Sequence, residues 1–110
     1  MKQKDIYYAN LNPTHGTEQH GIRPVAIISG NAMNDNLDVC IVCPFGSAIK
    51  GYAGCVFVKK DDYNNLLQDS ELISFQIRTI SRERLINKIG EINESQLLEL
   101  KKRLFEVLTY

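Results

Sequence analysis

The apolar residues of this chain change their spacing once, at Asn93. Before it they come in short runs bounded by turn-forming or charged residues. Ile6-Tyr7-Tyr8-Ala9-Asn10-Leu11 stops at Asn12-Pro13, and Val25-Ala26-Ile27-Ile28-Ser29 follows Pro24. Val39-Cys40-Ile41-Val42-Cys43 ends at Pro44, and Gly54-Cys55-Val56-Phe57-Val58 gives way to Lys59-Lys60-Asp61-Asp62. Runs of this length and composition predict strands. Ile73–Ile80 predicts another, with Ile73, Phe75, Ile77 and Thr79 on a packed face and Ser74, Gln76 and Arg78 on a polar one. Beyond Asn93, Leu97, Leu100, Leu104, Val107 and Leu108 recur at helical spacing, and Asn93 stands three residues before Gln96 as in a capping box. A single helix placed after the strands cannot alternate with them. The pattern therefore predicts a mainly β, α+β chain: a small barrel with one C-terminal helix packed on it, not a βαβ fold.

At 110 residues the chain suits a single domain, residues 1–110, because a second core would be too small to hold together. Lys plus Arg and Asp plus Glu both number 13, so no global basic field advertises nucleic-acid binding, and any such site must be local. No stretch reaches the apolar length of a membrane span, and the N-terminal MKQKDIYY lacks the apolar centre of a signal peptide. Cys40, Cys43 and Cys55 are odd in number and lie in apolar runs, as reduced buried thiols do. The expected location is the cytoplasm. Cys40, Cys43, His15 and His20 include the ligand types of a zinc site, but residues three apart on a strand face opposite sides. No metal or other cofactor is expected.

The segment from Pro13 to Gly21 is polar, glycine-punctuated and longer than an ordinary connection, which marks it for function. Together with its flanks, Leu11-Asn12-Pro13-Thr14-His15-Gly16-Thr17-Glu18-Gln19-His20-Gly21-Ile22-Arg23-Pro24-Val25 closely resembles the N-terminal signature of the MazF/PemK toxins. Two further blocks agree in order: Cys43-Pro44-Phe45-Gly46-Ser47, and Phe75-Gln76-Ile77-Arg78-Thr79-Ile80 followed by Arg84-Leu85 and Ile89-Gly90. The similarity covers essentially the whole chain. It implies an SH3-like barrel of the MazF/CcdB toxin type, homodimerisation, and metal-independent, sequence-selective cleavage of single-stranded mRNA. It also implies a MazE-like antitoxin whose acidic, flexible tail fills the RNA groove, with operator DNA as a further ligand of the toxin–antitoxin complex.

Cutting RNA without a metal uses the ribose 2′-hydroxyl as nucleophile and leaves a 2′,3′-cyclic phosphate and a 5′-hydroxyl. A proton must leave the nucleophile, another must reach the departing oxygen, and charge on the phosphoryl oxygens must be stabilised. Arg23 suits the last task, since a guanidinium stays charged and forks two hydrogen bonds onto a phosphate, and it matches the family's catalytic arginine. Glu18 and His15 are candidates for proton transfer, with His20 a weaker one. Thr17, Gln19, Gln76 and Arg78 are candidate RNA contacts, and Tyr7, Tyr8 and Tyr52 are candidate stacking residues with the core as their other reading. Arg78, Arg82, Arg84 and Lys88 form a basic stripe suited to an RNA backbone or an acidic antitoxin segment.

The chain departs from the family pattern twice. Many members carry a catalytic threonine where Gly46 stands; Ser47, one residue on, is its candidate substitute, and the backbone N–H groups near Gly46 are candidate oxyanion donors. One branch uses an Arg and an Asp where Ile73 and Phe75 stand, which excludes that type of site. The alternative to a nuclease is a catalytically degraded barrel that binds an antitoxin, operator DNA or another protein without cutting.

Overall fold

The computed structural model describes residues 1–19 and 21–110. In chain order the elements are β1 (Asp5–Asn10), β2 (Ile22–Ile27), α1 (Asn31–Asn36), β3 (Val39–Gly46), β4 (Cys55–Val58), β5 (Ser70–Ile73), β6 (Arg78–Ser81), β7 (Leu85–Glu91) and α2 (Glu94–Thr109). The seven strands form one antiparallel sheet in the order β4-β5-β3-β2-β1-β7, with β6 paired to β3. The expected class, mainly β with a C-terminal helix, holds. The barrel does not close: among the described residues the end strands β4 and β7 are not hydrogen-bonded to each other.

Alternation along the strands divides the interior in two. Ile6, Ala26, Cys43, Phe45, Val56 and Leu72 pack with Leu97 and Leu100 of α2 in one cluster. Ala9, Leu11, Val25, Ile27, Cys40, Val42 and Ile80 make the other, on the opposite face. Cys40 and Cys43 thus lie on opposite sides of β3, where one ion cannot reach both thiolates. The helix begins as expected: the Asn93 side chain accepts from the Gln96 N–H at 2.7 Å, and the Gln96 side chain accepts from the Asn93 N–H at 2.9 Å. Among the described residues no helix is long and apolar enough to cross a membrane.

Three strand readings need correction. β2 begins at Ile22, so Arg23 is a strand residue paired with Ala9 rather than the residue leading into the strand. β3 runs through Pro44 to Gly46, because Pro44 pairs with Val25 and then Phe45 and Gly46 pair with β5. Proline removes only one ladder donor, and its fixed φ is compatible with extended chain. The expected strand Ile73–Ile80 is broken by a 3-10 turn at Ser74–Gln76. Leu72 faces Phe45 and Arg78 faces Val42, so residues 73–77 oppose only residues 43–44. The surplus is taken up by the turn, which reverses the expected faces: Ser74 is buried and Phe75 is 47% exposed. Three elements were not expected from the sequence: α1, β5 (Ser70–Ile73) and β7. α1 is mostly polar, with Ala32 and Met33 its two apolar residues, and is anchored by the Ser29 hydroxyl donating to Asn34 Oδ1 at 2.6 Å; β7 is a largely exposed edge strand.

Candidate active site

The loop between β1 and β2 is tied at several points. Gly16 and Gly21 have φ of +59° and +76°, a left-handed backbone that glycine adopts without a Cβ penalty. The Gly21 N–H donates to Asn12 Oδ1 at 3.1 Å, and the Leu11 N–H donates to the Gly21 carbonyl at 2.9 Å, closing the loop's neck. The Glu18 carboxylate accepts from the His15 N–H at 2.6 Å, bracing the loop from within. From β6 and the turn after it, Arg78 donates to the Leu11 carbonyl at 3.1 Å, and Arg84 donates to the carbonyls of Asn10 and Asn12. Arg82 donates to the Asn34 carbonyl at 2.8 Å, and Lys88 pairs with buried Asp5 at 3.1 Å. The basic stripe therefore works largely inward, on carbonyls and one carboxylate.

Beside this loop lies a recess of about 440 Å³, and Arg23 lines it together with Thr17, Gln19, Gly46, Ser47 and Gln76. Sheet register brings the two strands together: Val25 is opposite Pro44, and beyond that pair Arg23 on β2 and Gly46 and Ser47 at the end of β3 both line the recess. Gln76 reaches over from the 3-10 turn to donate to the Thr17 carbonyl at 3.4 Å. Gln19 lines the recess, and its Oε1 is buried with no hydrogen-bond partner among the described residues. Glu18 and Arg78 instead line a smaller neighbouring recess of about 230 Å³. His15 is exposed and lines neither. His20 lies outside the described residues. Tyr7 packs against the second core cluster, whereas Tyr52 is 55% exposed and lines the main recess.

Of the opposite wall, the sequence pointed to Tyr52 alone, as a candidate stacking residue. Lys50, Tyr52, Phe75 and Glu71 complete this wall. The Tyr52 and Phe75 rings meet at 6.5 Å and 41°, and Lys50 Nζ stands 5.9 Å from the Tyr52 ring, forming a cationic, aromatic corner. Glu71 is only 2% exposed, and its two carboxylate oxygens accept the Lys50 and Gly51 N–H groups, each at 3.3 Å. It thereby sets the turn that carries Lys50 and Tyr52. Glu71 lies between two strands, opposite Gly46 on one side and Phe57 on the other, which buries it. Burial, and then the Glu71 carboxylate, push the Cys55 thiol up to about 11, so it stays protonated at neutral pH and is no nucleophile.

A Cβ at Gly46 would lie 2.9 Å from Ile73 Cδ1, the free end of a flexible side chain. The position thus excludes a larger residue only as far as Ile73 fails to yield. The recess lining includes two cationic residues, Arg23 and Lys50, one carboxylate, Glu71, and two hydroxyl residues, Thr17 and Ser47.

Residues 2–108 match the family described as PemK-like, MazF-like toxin of type II toxin-antitoxin system. The endoribonuclease MazF of Staphylococcus epidermidis is 33% identical over 106 residues, covering 94% of this chain and 88% of that protein. The endoribonuclease EndoA of Bacillus subtilis (strain 168) is 32% identical over 98 residues, covering 88% and 84%. Among solved structures, MazF from Deinococcus radiodurans superposes with a TM-score of 0.86 at 24% identity, covering 100% of this chain and 97% of that one. The Mycobacterium tuberculosis toxin MazF-mt6 gives 0.79 at 26% identity, covering 94% and 95%. Resemblance in sequence and in fold run the length of the chain, and it belongs to the PemK-like, MazF-like toxins of type II toxin–antitoxin systems.

Proposed function

We propose that this chain is the toxin of a type II toxin–antitoxin system, a single-domain endoribonuclease that cuts single-stranded mRNA at selected sequences without a metal. One observation carries the reading: Arg23, held extended in β2, lines a recess whose other walls offer Ser47, Thr17, Gln19 and Gln76. Arg23 binds the scissile phosphate and stabilises the charge that builds on its oxygens as the 2′-hydroxyl attacks. Ser47, at the recess edge, takes the phosphate contact that Gly46 cannot make. Gln19 lines the recess as an RNA contact, Gln76 and Thr17 hold the loop against the RNA, and Glu18 and His15 shape the loop and are the candidates for proton transfer. Arg78 acts on RNA through the loop it supports.

The non-cutting alternative is not favoured, because relatives a third identical across nearly the full chain are named endoribonucleases. Solved MazE–MazF complexes from Deinococcus radiodurans share the fold, at TM-scores of 0.75 and 0.74. By analogy the partners here are a second copy of the chain and a MazE-like antitoxin, with operator DNA bound by the complex. The setting is the cytoplasm, where mRNA lies. Purified protein in EDTA should cut a single-stranded RNA and leave the same sequence intact within a duplex. Failure to cut single-stranded RNA would remove the nuclease reading.

A further inference from the structure

Arg23 and Ser47 belong to two recesses. They are the two described residues shared between the 440 Å³ recess and a second one of about 420 Å³ on their other side. Tyr8, Ile22, Pro24, Leu66, Leu67 and Gln68 help to line this second recess, which lies toward the segment entering β5. Both volumes fall within the range of small-ligand clefts, about 300–1,000 Å³. Arg23 and Ser47 therefore form a ridge, with a hollow on either side.

The hollows differ in chemistry. The first carries Lys50 and Glu71 beside an aromatic corner, whereas the second, apart from Arg23, has no ionisable wall group except the phenol of Tyr8. Its mouth instead presents Ile22 at 63% and Leu67 at 82% exposure, large apolar side chains that gain by being covered. Gln68 adds a carboxamide, a donor and acceptor that can pair with a base edge. Such a hollow gives a phosphate nothing beyond Arg23, and gives a flat uncharged ring apolar walls and one polar handle.

We infer that the second recess is a base-binding subsite, taking the nucleobase on one side of the phosphate held at the Arg23–Ser47 ridge while the other flanking nucleotide lies in the first recess. This rests on the nuclease reading. Leu67 and Ile22 pack on the base, and Gln68 reads its edge. The RNA crosses the ridge, so each hollow is entered from the same phosphate.

The test uses an RNA built around a site that the wild-type protein cuts, made uncleavable by a 2′-deoxy sugar at the attacking position. Its affinity is measured by fluorescence anisotropy, intact and with an abasic residue on either side of the scissile phosphate. Leu67→Ala with Gln68→Ala, surface changes checked by thermal melting, should weaken the intact RNA about tenfold. One abasic RNA should lose a similar factor with wild-type protein and lose almost nothing further with the double variant. Losses that multiply, or a double variant that binds intact RNA as well as wild type, overturn the subsite. A double variant impaired only in self-association or antitoxin binding assigns the recess to protein and overturns it too. Wild-type protein that cuts no RNA overturns the nuclease reading instead, and the subsite with it.

Discussion

The side-chain amide of Gln76 donates to the carbonyl of Thr17 at 3.4 Å, joining the 3-10 turn after β5 to the loop that precedes Arg23. A hydrogen bond of this kind is worth about 1 kcal/mol net. Gln76→Ala should leave the melting temperature nearly unchanged, because the contact is exposed, yet loosen one wall of the recess. The expected result is a KM raised about fivefold with kcat changed less. Steady-state kinetics on a fluorescent oligonucleotide decide the matter; a fallen kcat at constant KM would instead make Gln76 a transition-state contact.

Arg78 serves the fold before it serves RNA. Its guanidinium donates at 3.1 Å to the carbonyl of Leu11, a fully buried residue at the loop's neck. Arg78→Ala leaves that acceptor without its donor and should cost about 1–3 kcal/mol in urea unfolding. Wild-type stability with weakened RNA affinity would mean that Arg78 contacts RNA directly.

Cys55 and Glu71 give the protein a signature in alkali. The Cys55 thiol is raised from its ordinary 9.0 to about 11 in the folded chain, by burial first and the Glu71 carboxylate second. The folded state therefore holds this proton more tightly than the unfolded state. Its contribution to stability is fully present below about pH 9 and is lost as the pH rises toward 11. Denaturant unfolding at pH 8, 9.5 and 10.5 should show a shallower decline for Cys55→Ala than for wild type. Parallel declines would contradict the raised thiol. Glu71→Gln should lower the Cys55 pKa, read from thiolate absorbance, because it removes the repelling charge.

Gly46→Thr tests whether Ser47 has taken over the phosphate contact. The new Cβ meets Ile73 Cδ1 at 2.9 Å, so the fold should survive at a cost of about 1 kcal/mol while Ile73 turns aside. If Ser47 already serves, cleavage by Gly46→Thr stays within about threefold of wild type and Ser47→Ala lowers it markedly. A large gain from the threonine would show that the site as it stands is impaired.

What the sequence disclosed depended on how local each feature is. The capping box at Asn93 and the helix behind it are written in consecutive residues, and the structure has both. Arg23, Gln19, Thr17 and Gln76 were nameable because the family signature keeps them in register. On the other wall only Tyr52 was nameable, as an aromatic residue that could stack. Glu71 becomes a buried carboxylate because Gly46 and Phe57 flank it across the sheet, and Lys50 and Tyr52 are carried by a turn whose N–H groups that carboxylate holds. The alternation at Ile73–Ile80 misled for a related reason: period two assumes an unbroken ladder, and the surplus residues opposite Cys43 and Pro44 cannot be counted before the pairing is known. In the basic stripe, charge was visible and its inward carbonyl partners were not.

The guanidinium of Arg23 at the phosphate is the claim on which the rest depends, and the chemistry of the cut ends tests it most directly. Wild-type protein and Arg23→Ala, matched for fold by circular dichroism, are incubated with a single-stranded RNA in EDTA and the fragment termini are mapped. Wild type should leave 2′,3′-cyclic phosphate and 5′-hydroxyl ends, and Arg23→Ala should cut at least about a hundredfold more slowly. Cleavage by Arg23→Ala at the wild-type rate, or fragments ending in 3′-hydroxyls, would contradict it.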